Sequence, residues 1–93
     1  TVDHLLLRAP VLVRPADAAK IENALAHFNG SLWLVLSEYD ESSPLEISDL
    51  YWNAAHQSNP KEKITIPNAD HGLHSDESKK AFLDILELWI QSL

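Results

Sequence analysis

The chain has 93 residues, 45% of them hydrophobic, and a net charge of −7 from 7 Lys+Arg against 14 Asp+Glu. That length allows one domain at most, or part of a larger one, and the acidity without any basic cluster disfavours nucleic acid or an anionic membrane surface as partner. Cysteine is absent, which removes disulfides, thiolate metal sites and cysteine nucleophiles.

No apolar run reaches the roughly 18–20 residues needed to span a bilayer, and no signal peptide is visible at the start. The expectation is a soluble protein, with the cytoplasm as the favoured compartment. Met is missing even at position 1; initiator removal before Thr1 and excision from a longer chain explain this equally well.

Thr1 to Ala9 is an entry segment in which Leu5-Leu6-Leu7 fits a strand or a turn of helix. Pro10-Val-Leu-Val-Arg14 is a short β-branched run bounded by prolines and predicts a buried strand. Pro15 suits a helix start. Ala18, Ile21, Leu25 and Phe28 then share one helical face, predicting a helix over 15–28. Asn29-Gly30 is expected to end it through a left-handed cap at Gly30.

Leu32 to Leu36 is apolar on both faces, as in a central strand of a parallel sheet covered by helices. After the polar Glu38–Ser43 loop, Ser43-Pro44-Leu45-Glu46 predicts a capping box. Ile47, Leu50, Tyr51 and Ala54 form the buried stripe of the helix that follows, and Asn59-Pro60 stops it. Glu62 to Pro67 is the third predicted strand. Ser75 is the expected N-cap of the last helix, with Asp76 and Glu77 in its first turn. Phe82, Ile85, Leu86, Trp89 and Leu93 form its buried face. Leu83, Leu88 and Ile90 widen that face, so the helix is expected to meet more than one neighbour.

The order β-α-β-α-β-α implies an α/β fold of three layers with parallel strands and right-handed crossovers. Three parallel strands alone would leave long apolar edges. An upstream region or a second chain is therefore expected to supply the remaining sheet.

In such a sheet ligands bind beyond the carboxyl ends of the strands. Asp40 and His71 each follow a predicted strand. If those strands are neighbours, the carboxylate can orient the imidazole, and the imidazole can take a proton from a nucleophile. Glu38 shares the face of Asp40 in an extended run and competes for the same part. His71 and His74 with Asp70 and Asp76 match no strong metal-ligand spacing, and neither metal nor cofactor is expected. His4, His27 and His56 read as surface residues, and Trp33, Trp52 and Trp89 as packing residues.

Two segments carry a family resemblance. Ser37-Glu-Tyr-Asp-Glu-Ser-Ser-Pro44 is similar to the "GxxDxxxP" acid loop of the α/β-hydrolase fold. Ile66-Pro-Asn-Ala-Asp-His-Gly-Leu73 is similar to its "IPGADHGL" histidine loop. Residues 1–93 thus resemble the C-terminal third of such a protein, its last three strands and helices forming a single partial domain. The resemblance implies a serine hydrolase acting on a small-molecule ester or related acyl substrate, with Asp40 as triad acid and His71 as triad base. Ser37 and Asn68 stand where the family has glycine, although Asn tolerates unusual backbone angles. None of the nine serines lies in a Gly-x-Ser-x-Gly elbow. The nucleophile and the oxyanion hole would have to come from another part, without which the chain is not competent. The alternative is a non-catalytic α/β module that docks a partner chain on an exposed sheet edge.

Overall fold

The computed structural model describes residues 3–10, 17–41 and 45–93. Six elements follow one another: β1 (His4–Arg8), α1 (Asp17–Ala26), β2 (Ser31–Tyr39), α2 (Leu45–Ala54), β3 (Lys61–Asp70) and α3 (Asp76–Gln91). The strands form an open three-stranded sheet in the order β1-β2-β3, with both pairs parallel. This is the expected α/β fold with β-α-β-α-β-α order.

The continuously apolar strand is the central one. Leu32, Leu34 and Val35 of β2 are fully buried, because helices cover both faces of the sheet. Leu25, Leu32, Tyr51 and Ala55 form a core on one face, with Leu5, Leu7, Ile21 and Leu50 packed against it. Val35, Ile66, Ala69 and Leu73 form a second core on the other face, under Phe82 and Ile85 of α3. The two crossovers step across the sheet in the same direction, so crossovers of one hand place α1 and α2 on a common face. The opposite face is left to α3.

β1 comes from the entry segment that fitted either a strand or a turn of helix. The predicted strand at Pro10–Arg14 lies outside the described residues from Val11 onward, and Pro10 itself is in no regular element. The capping box also falls outside them at Ser43 and Pro44.

The left-handed cap at Gly30 is not formed, since no glycine has a positive φ. Gly30 serves close approach instead. A Cβ there would lie 2.2 Å from the Asp3 carbonyl oxygen and 2.8 Å from the Phe28 ring. The same Asp3 oxygen accepts the Ser31 N–H at 2.9 Å, which starts the β1–β2 pairing.

At α3 the Ser75 side chain caps the helix by accepting the Ser78 N–H at 3.1 Å. Phe82, Ile85, Leu86 and Trp89 are half-buried. Leu83, Leu88, Ile90 and Leu93 are each more than half exposed. The expected second neighbour of this helix is thus not found among the described residues. No helix among them is long and apolar enough to cross a membrane.

The two sheet edges differ in chemistry. On β3, Lys61 and Lys63 stack their ammonium groups over the Trp52 ring at 4.1 and 4.8 Å. Lys63 also pairs with Asp49 at 3.7 Å. Edge lysines oppose further strand addition. β1 carries half-buried Leu5, Leu6 and Leu7 and, among the described residues, no lysine.

Candidate functional site

β2 and β3 are parallel neighbours, so their carboxyl ends emerge on one rim, where open α/β sheets bind ligands. Their pairing is regular from Leu32↔Lys61 to Ser37↔Ile66 and then shifts, so that Tyr39 pairs with Asp70. Two residues of β2 therefore face four of β3. The surplus is accommodated at Pro67, which has no N–H to give to a ladder, and at Asn68, whose φ is 57°. Asparagine tolerates that left-handed conformation better than most residues. Glu38 secures the irregularity by accepting the Asn68 N–H on Oε1 at 3.0 Å.

Beyond this point Asp40 follows β2 and His71 follows β3. His71 Nδ1 lies 2.8 Å from Asp40 Oδ2. A carboxylate can only accept, so Nδ1 carries the proton and Nε2 is the nitrogen that can take another. The Asp40 side chain is 4% exposed against 39% for His71. A buried anion thus backs an imidazole that reaches solvent. That arrangement fixes one tautomer and stabilises the imidazolium once it forms. Glu38, the competing acid, is committed to the backbone of Asn68.

The loop carrying His71 is tied at a second place. Asp70 Oδ1 accepts the His74 N–H at 2.9 Å, and Asp70 Oδ2 meets His74 Nδ1 at 2.5 Å. These hydrogen bonds from His74 hold the Asp70 carboxyl below its ordinary value. The His74 ring folds over Gly72, where a Cβ would come within 2.5 Å of its Cε1. Leu73 takes a φ of 52° and buries its side chain in the α3-side core. Tyr39, Glu41, Asp70, His71, Gly72 and His74 line a shallow depression at this rim.

Arg8 is the residue that sequence reasoning missed. It ends β1, yet its guanidinium extends over β2. Nη2 donates to the His71 backbone carbonyl and reaches Ser37 Oγ at 3.5 Å. The guanidinium carbon sits 5.8 Å from the centre of the Phe82 ring. The available signal was a charge closing the apolar run Leu5-Leu6-Leu7, since a cation drawn into a sheet needs a partner.

The remaining candidates are accounted for locally. His4, His27 and His56 are exposed; His4 pairs with Ser31 Oγ and His27 with the Asn23 carbonyl. Asp76 and Glu77 sit in the first turn of α3, where carboxylates favour the positive helix end. Among the described residues no three His, Asp or Glu side chains gather as a metal would require. No protein-family model matches the chain, and no curated protein matches it either.

Proposed function

We propose that this chain is the Asp- and His-bearing part of a serine hydrolase of the α/β-hydrolase type, acting on ester or related acyl bonds. The observation that carries the reading is the Asp40–His71 pair, 2.8 Å apart at the carboxyl rim of two adjacent parallel strands. The acid precedes the histidine in the chain, as in the triad order of that fold. His71 Nε2 takes the proton of an attacking serine hydroxyl and returns it to the leaving group. Asp40 holds the ring and balances the charge it gains. The nucleophile and the oxyanion donors belong to a segment or chain that completes the sheet beside β1.

The test is His71→Ala in the protein that contains both parts, followed with a serine-directed fluorophosphonate and an acyl ester. Labelling of one serine and ester turnover, both lost in the variant while the fold is kept, is the expected result. Undiminished turnover in the variant rejects the reading.

One observation favours a second reading, a non-catalytic module that docks a partner chain. Lys61 and Lys63 line the β3 edge, whereas β1, the opposite edge strand, carries no lysine. That reading expects a stable complex with a second chain and no reaction with the serine probe.

A further inference from the structure

From the rim geometry we infer that Arg8 is a positioning residue for His71, one whose value for catalysis rests on the hydrolase reading above but whose geometry does not. The side chain starts on β1, opposite Val35 of β2. It lies on the α3 face, reaches Ser37 of β2 and ends on the backbone carbonyl of His71 beyond β3. Arg8 thus fastens the backbone of the residue whose ring is fastened by Asp40. Two anchors on one residue, at its carbonyl and at Nδ1, leave the imidazole a single orientation. Either anchor alone would let the loop pivot about the other.

Packing alone does not account for an arginine here. Among the described residues its Nε is buried without a hydrogen-bond partner, and the groups that meet its guanidinium, the His71 carbonyl, Ser37 Oγ and the Phe82 ring, include no carboxylate. Buried polar atoms are normally satisfied, and apolar residues of similar volume often replace buried ions with no loss of stability. A methionine would fill this space and leave no stranded N–H. What it would not supply is a donor to the His71 carbonyl. The fork of the guanidinium, with Nη2 on the loop and its face on Phe82, supplies that donor from a fixed direction.

The experiment reads the His71 ring directly, by nitrogen-15 and proton NMR of the protein. In the wild type the His71 Nδ1–H proton is expected far downfield, bonded to Asp40. The Arg8 Nη protons are expected as separate, slowly exchanging signals. Arg8→Met should abolish the downfield signal by exchange averaging, with the amide spectrum of the sheet retained. Arg8→Lys, which keeps one donor, should restore it. An unchanged His71 signal in a folded Arg8→Met variant overturns the inference. If that variant does not fold, the wild-type Arg8 signals decide: averaged, fast-exchanging Nη protons overturn the inference and resolved ones uphold it. None of these outcomes depends on turnover. A missing serine nucleophile would remove the hydrolase reading and leave the Arg8 anchor standing.

Discussion

The Asp40 side chain is almost fully buried while His71, bonded to it at 2.8 Å, keeps 39% of its side chain exposed. The pair therefore has an inside and an outside. The inner member sets charge and tautomer, and the outer member meets whatever arrives at the rim. Reversing the burial would leave a solvated carboxylate with little hold on the ring, since water screens such contacts.

Asp40→Asn tests that division of labour. The amide is isosteric and can present its NH₂ to Nδ1, which selects the wrong tautomer. The fold should survive, the downfield ring proton should vanish, and turnover in the proposed hydrolase should fall by about 10⁴-fold. Glu38→Gln is the matched control. Among the described residues its side chain accepts only the Asn68 N–H, so the variant should leave the His71 ring signal in place. A lost ring signal in Glu38→Gln and a retained one in Asp40→Asn would reverse the assignment of the acid.

The Asp70–His74 contact makes a pH-dependent contribution of defined sign. The folded Asp70 carboxyl is held below its ordinary value of 3.8 by the hydrogen bonds from His74. Folding therefore favours the ionised form. The stabilisation is fully present above the unfolded value and is lost as pH falls through the lower folded one. Melting curves of wild type and Asp70→Asn should converge as the pH falls below 3.8. Protection of the His74 amide, measured as its exchange relative to the intrinsic rate at each pH, should fall over the same interval. A gap between the two proteins that widens on acidification would contradict the assignment.

Ser75→Ala removes the acceptor for the Ser78 N–H at the start of α3. Ser78 is itself buried, and its hydroxyl donates to the Ser75 carbonyl at 2.9 Å. The expected cost is about 1 kcal/mol, a fall in Tm of about 4–8 °C for a domain of this size. Ser92→Ala at the far end, where the residue is exposed, should move Tm far less. Equal shifts would argue against the cap.

How far the residues announced the structure depends on where their information sits. Leu32 to Leu36 declared a central strand, because burial on both faces leaves no polar alternation to read. Ser75 declared a helix start through local chemistry alone. His4–Arg8 did not declare a strand, because three leucines suit either periodicity. Alternation alone did not separate Glu38 from Asp40, since their placement depends on a register shift between two strands; only the resemblance of Ser37–Pro44 to an acid loop favoured Asp40. Gly30 was misjudged for a related reason. Its neighbour across space, Asp3, lies far off in sequence, and steric room looks the same as backbone freedom until the fold is known. Arg8 was hidden in the same way, because its partners belong to β2, α3 and the His71 loop.

The left-handed turn at Asn68 decides which residues of β3 look toward α3. In a regular strand side chains alternate between the two faces, so Ile66 and Ala69, three positions apart, would lie on opposite sides. Both are instead buried in the core under α3. The growth of the strand offset by two residues, from Ser37↔Ile66 to Tyr39↔Asp70, and the φ of 57° at Asn68 reset the alternation between them. The facing of the segment that leads to His71 is therefore set by this irregularity and not by counting along the strand.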